Sequence, residues 1–124
     1  MTLKHKRILI TGASSGLGLA LTKKLLTLEG VQIVGVARNI QTLEQLQHPR
    51  LFPLSLDIAQ PQNVDTMLDE AIRLMGGVDV VIASAGFAYF EQFEGRDYRH
   101  IARIFETNVL SPLYTLQQLL SKTA

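Results

Sequence analysis

The sequence predicts a doubly wound α/β fold: one parallel sheet, helices on both faces, and strand order 3-2-1-4. Three observations predict it. Strand-like and helix-like stretches alternate strictly along the chain. The strand-like stretches are continuous apolar runs rather than half-polar alternations, as strands covered on both faces require. The third of them contains Pro53, which lacks an amide donor and belongs at a sheet edge, where this order puts it.

Arg7 to Thr11 reads as a short, fully buried strand, and a Gly and Ser turn after it opens a helix. Leu17, Leu21, Leu25 and Leu28 share one face of that helix, with Gly30 suited to its C-terminal cap. Val31 to Ala37 is a β-branched run and the second strand. Asn39 can cap a short helix whose apolar positions are Ile40, Leu43 and Leu46. Leu51 to Leu56 forms the third strand. Pro61 suits the first turn of the next helix, where Val64, Met67, Leu68, Ala71, Ile72 and Met75 follow the helical period until Gly76 and Gly77 end it. Val78 to Ala83 is the fourth strand, and Ser84, Ala85 and Gly86 close it in a tight turn. Phe87 to Gly95 reads as a loop. A final helix runs from about Asp97 to the end, with Pro112 inside it.

At 124 residues the chain is expected to be one domain. Apolar residues at 47% and charged ones at 19% match ordinary globular usage. The absence of cysteine excludes disulfide scaffolds, thiolate zinc sites and cysteine nucleophiles, and fits a reducing compartment, with the cytoplasm as the default. Twelve Lys and Arg against eleven Asp and Glu leave no basic excess for a nucleic-acid partner. Lys4, His5, Lys6 and Arg7 precede only Ile8, Leu9 and Ile10 before polar residues intervene, too short an apolar run for a secretory signal or a membrane span. His5, His48 and His100 share no metal-ligand spacing, and no metal site is expected.

Chemistry concentrates in the turn Thr11-Gly12-Ala13-Ser14-Ser15-Gly16-Leu17-Gly18. Glycines at a strand-to-helix turn let the backbone approach a pyrophosphate, and the helix start offers unpaired amides and a positive dipole end. Ser14 and Ser15 either add hydroxyl donors or cap the turn. The spacing is GxxxGxG, neither the generic GxGxxG nor a nucleoside-triphosphate loop. Taken alone, it also fits a merely tight turn.

TGASSGLG resembles the TGxxxGxG motif of the short-chain dehydrogenase/reductase family, and further similarities follow in order. Asp57, in Leu-Asp-Ile with Ile58, is similar to the family's acidic residue that binds the adenine amino group. Read without the resemblance, it is a loop cap. Ala83-Ser84-Ala85-Gly86 is similar to the NNAG turn, with Ser84 departing from the family's Asn. Asn108 in Glu-Thr-Asn-Val is similar to the Asn of the catalytic tetrad, and Pro112, four residues on, leaves the Asn108 carbonyl without a helical donor. The resemblance implies a Rossmann cofactor domain over residues 1–124 and hydride transfer between a nicotinamide and a small carbonyl or alcohol substrate.

The family's Ser and Tyr-x-x-x-Lys lie beyond the Asn-bearing helix. Tyr89 is followed four residues later by Phe93, Tyr98 by Ala102 and Tyr114 by Gln118, so no tyrosine here has its lysine. The expectation is therefore the cofactor-binding half of such an oxidoreductase. A non-catalytic NADP-binding or interaction module is the alternative. The last residues carry no helix stop, which reads as a partial chain. Where an acidic residue would bind a ribose 2′-hydroxyl, Ala37 and Arg38 stand, and a guanidinium suits a 2′-phosphate. NADP is therefore expected over NAD, a solvated surface Arg38 being the alternative. Ile101, Ile104, Phe105, Leu113, Leu116, Leu119 and Leu120 exceed what one sheet face covers, so apolar surface is expected to stay exposed; the family resemblance implies that this final helix packs against its copy in a neighbouring subunit, a homo-oligomer.

Overall fold

A computed structural model describes residues 3–84, 114, 115, 117–119 and 122. Its elements are β1 (Arg7–Thr11), α1 (Gly16–Leu25), β2 (Gln32–Ala37), α2 (Gln41–Gln45), β3 (Leu51–Ser55), α3 (Pro61–Met75) and β4 (Val80–Ala83). The strands form one parallel sheet in the order β3-β2-β1-β4, as the sequence predicts. Pro53 sits on the edge strand β3, opposite Gly35.

Successive strand residues point to opposite faces, and both faces are covered. Ile8, Ile10 and Ile33 pack with Leu25 and Leu43 on the side of α1 and α2. Leu9, Val34 and Val36 pack with Val64, Met67, Leu68, Ala71 and Met75 of α3 on the other. Ile8, Leu9 and Ile10 are wholly buried, each contributing about 1.5–3 kcal/mol, which is why β1 reads as an unbroken apolar run. The chain steps from β1 to β2 to β3 in one direction and then returns past β1 to β4. Crossovers of one hand must switch faces when that direction reverses, so α3 lies opposite α1 and α2.

Several local expectations change. Leu17 is 69% exposed, so the leucine face is buried only further along α1, where Leu25 is buried with Gly18 and Thr22 and where Thr22 Oγ1 donates to the Gly18 carbonyl at 2.7 Å. The helix ends at Leu25, so Leu28 lies in the following turn and Gly30 is no helix cap. Gly30 adopts a left-handed φ of 69° beneath the His5 ring, where any side chain would collide. Asn39 caps from one position further out: Ile40 is the N-cap of α2, while Asn39 Oδ1 accepts from the Gln41 amide at 3.0 Å. Gly76 ends α3 as expected, at φ 82° with its amide donating to the Ile72 carbonyl.

β2 starts one residue later than Val31, and β3 stops one residue before Leu56. β4 starts at Val80, two residues late, because Asp79 turns to Arg7. Its carboxylate accepts from the Arg7 amide at 2.9 Å and from Nε and Nη2 at 3.0 Å each. In the last segment, Tyr114 Oη donates to Asp65 at 3.1 Å and Lys122 Nζ to Asp69 at 3.0 Å, so both engage α3. The expected loop from Phe87 to Gly95, the start of the final helix and Pro112 lie outside the described residues.

Candidate functional site

In an open α/β sheet the helices diverge where the strand order reverses, leaving a crevice at the strand C-terminal ends. Here that point lies between β1 and β4. A cleft of about 440 Å³ opens there, lined by Gly12 and Ser15 to Gly18 on one side and by Ile82, Ala83 and Ser84 on the other. Leu21, one turn along α1 from Leu17, completes the wall.

Each glycine of the turn has its own task. Gly12 and Gly16 take left-handed φ values of 66° and 53°. A side chain at Gly16 would meet nothing within 4 Å, so its surface is open for a ligand. Gly18 does the opposite: a Cβ there would stand 1.9 Å from the Gly12 carbonyl oxygen, so this glycine is what lets α1 start against the end of β1. The Ala13 amide ties the turn to the Val36 carbonyl of β2 at 3.2 Å. Ser84 ties it to β4, its Oγ donating to the Thr11 carbonyl at 2.5 Å and its amide to the same oxygen at 3.3 Å. The serine that departs from the family's Asn therefore still bonds to the turn.

The start of α1 is rich in donors. Its N-cap is Ser15, which makes no side-chain capping bond, so the capping alternative for this hydroxyl is not realised. The Ser15 carbonyl accepts from the Leu19 amide, but among the described residues the amides of Gly16, Leu17 and Gly18 have no acceptor. No acidic residue stands in that first turn. Three unpaired amides at a helix start, with an open glycine surface before them, are a donor set that fits a phosphate group.

The other candidates are spread along the same end of the sheet and do not line the cleft. Ser14 is half-buried within the turn. Arg38 follows β2 with an exposed side chain that makes no hydrogen bond or ion pair among the described residues, and Ala37 before it is buried. Asp57 follows β3; its Oδ1 accepts from the Ala59 amide at 3.1 Å and its carbonyl from Asn63 Nδ2 at 2.9 Å. Ile58 is 7% exposed, with its side chain in the core beside α3. Ala85, Gly86 and Asn108 lie outside the described residues. Sequence reasoning missed Leu21, Ile82 and the Thr11 carbonyl. The pairing of Ile82 with Ile10 across β1 and β4 is what brings that side to the cleft.

Among the described residues, no group of His, Asp or Glu is arranged to hold a metal ion, and no helix is long and apolar enough to cross a membrane.

A doubly wound sheet with a glycine turn and free helix-start amides at its switch point is the architecture of a nucleotide-binding α/β domain. The family model described as short chain dehydrogenase matches residues 6–123, and the chain belongs to that family. An uncharacterised oxidoreductase of Schizosaccharomyces pombe is 32% identical over 114 residues, a match spanning 92% of this chain and 38% of the relative. Two solved structures, each 24% identical, share the fold. The Brucella melitensis 3-ketoacyl-(acyl-carrier-protein) reductase complexed with NADH aligns at a TM-score of 0.86 over 97% of this chain and 50% of its own. A Burkholderia cenocepacia short chain dehydrogenase in complex with NADP aligns at 0.82 over 96% and 51%. The chain thus spans about half the length of these proteins, or less.

Proposed function

We propose that this chain is the NADP-binding half of a short-chain oxidoreductase acting on a small carbonyl or alcohol substrate. The observation that supports the reading is the cluster of amides at Gly16, Leu17 and Gly18, which have no acceptor among the described residues and belong to residues lining the cleft at the switch point. In this reading Gly12, Ser14, Ser15 and the start of α1 hold the pyrophosphate, and Arg38 holds the 2′-phosphate. Asp57 and the backbone at Ile58 hold the adenine; Ser84, Ala85 and Gly86 border the ribose. The bound nicotinamide supplies the hydride-carrying carbon. Asn108 would serve proton delivery by holding a water, as the family resemblance implies.

The 124 residues contain no Tyr-x-x-x-Lys. That observation favours a second reading for this stretch by itself, an NADP-binding or interaction module that does not catalyse. General acid catalysis supplies about a hundredfold to ten-thousandfold, and in the family that acid is the tyrosine of the motif these residues lack. A cytoplasmic location and a homo-oligomer formed through the final helix complete the proposal.

Cofactor choice is the sharpest test, because the two solved relatives above carry different cofactors. A charged hydrogen bond contributes about 1.5–3 kcal/mol, so NADPH should bind about tenfold or more tightly than NADH. Calorimetric titration of Arg38→Ala should erase the difference. Equal affinities in the unmutated protein would overturn the assignment.

A further inference from the structure

We propose that Ser55 is a positioning residue for cofactor choice, acting through Arg38; the proposal rests on the reading of Arg38 as the 2′-phosphate ligand. The parallel register of β2 and β3 ends with Ala37 opposite Ser55, and the last ladder bond runs from the Leu56 amide to the Ala37 carbonyl at 3.1 Å. Backbone pairing stops there. The Ser55 hydroxyl then carries the attachment one residue further, donating to the Arg38 carbonyl at 2.8 Å. On the far side, Asn39 Oδ1 accepts from the Gln41 amide at 3.0 Å and turns the chain into α2. The backbone that carries Arg38 is therefore held on both sides by side-chain bonds, although it lies beyond the strand.

The guanidinium itself is held by nothing among the described residues, and its side chain is exposed. An arginine in that state reaches a phosphate from wherever its Cα is fixed. Fixing the Cα is what Ser55 does. Its strand neighbours could not substitute: Pro53 and Leu54 carry no side-chain donor. Ser55 is also exposed, so water can satisfy the Arg38 carbonyl when the hydroxyl is removed. The loss then falls on position rather than on stability. Only a charged ligand group that meets Arg38 registers it, and NADH carries a neutral 2′-hydroxyl in place of the 2′-phosphate.

The experiment is calorimetric titration of the full chain with NADPH and NADH, comparing the unmutated protein with Ser55→Ala, Ser55→Thr, Arg38→Ala and the Arg38→Ala/Ser55→Ala double variant. Ser55→Ala should weaken NADPH binding about threefold to tenfold, the worth of one hydrogen bond, and leave NADH binding unchanged. Ser55→Thr keeps the hydroxyl and should restore NADPH affinity. In the Arg38→Ala background, Ser55→Ala should cost nothing more. An equal fall for both cofactors would mark a merely structural role and overturn the proposal, as would unaltered NADPH affinity in Ser55→Ala. An unmutated protein without NADPH preference would instead overturn the Arg38 reading, and this inference with it.

Discussion

Replacing Gly18 by alanine adds one methyl group where the backbone leaves no room. The new Cβ would lie 1.9 Å from the Gly12 carbonyl oxygen and 2.7 Å from both the Gly12 carbonyl carbon and Ser84 Oγ. Ser84 can swing aside, but Gly12 is backbone, anchored in the turn between β1 and α1. The first turn of α1 must therefore retreat from β1 by about 1 Å or more to regain an ordinary contact. Overpacking of this kind costs about 1–3 kcal/mol, against a gain of about 1 kcal/mol for alanine over glycine inside a helix. Because backbone opposes the methyl group directly, the upper end of the cost applies, leaving a net loss of about 2 kcal/mol. In a domain of this size that lowers the melting temperature by roughly 8 °C. The amides of Gly16, Leu17 and Gly18 move with the helix, so NADPH affinity should fall about tenfold as well. Urea denaturation and NADPH titration measure the two effects separately. Adding Ser84→Ala should not rescue Gly18→Ala, since the movable obstacle is the lesser one. A Gly18→Ala protein as stable and as tightly binding as the original would refute the close-approach argument.

Three further outcomes are expected. The Arg7 guanidinium and amide hold the Asp79 carboxyl at about 2, below its ordinary 3.8, so the pair's stabilisation is complete above about pH 4 and lost as pH falls towards 2; the stability gap between the unmutated protein and Asp79→Asn should close over that interval, and a gap independent of pH would contradict it. Arg50 donates to the carbonyls of Leu26, Leu28 and Val31 at 2.8–2.9 Å, gripping the end of α1, so Arg50→Ala should cost about 2–3 kcal/mol in urea denaturation. Arg50→Lys should recover less than half, because an ammonium lacks the fork that reaches three carbonyls. Light scattering across a dilution series should show self-association, since β4 ends the described sheet with Val80, Val81 and Ile82 beside its edge. A cooperatively melting monomer at tens of micromolar would argue against it.

Local rules operate over a few residues, and what they govern was legible in the sequence. Two-sided burial makes β1 and β2 continuous apolar runs, proline confines β3 to the edge, and the helical period of α3 runs from Val64 to Met75 before Gly76 ends it. The phosphate turn was legible for the same reason, because it connects one strand to the next helix and needs its glycines within eight residues.

Pairings between distant residues settled the rest. The helical period puts Leu17 on one apolar face with Leu21, Leu25 and Leu28 but does not say where a cleft interrupts that face, and Leu17 stands exposed where the cleft opens. Gly30 turns left-handed against His5, 25 residues away in sequence; β4 begins where Arg7 releases Asp79, 72 residues apart; Ser84 bonds Thr11 at a separation of 73. Asp57 could be read as a cap or as a ligand, and only the fold shows that its Oδ1 accepts from the Ala59 amide. A strand's preference for being a strand does not include its register with another strand. Register decides which carbonyl meets which hydroxyl, and so it is the assembled sheet that turns a glycine-rich turn into a cleft lined by three amides without an acceptor among the described residues.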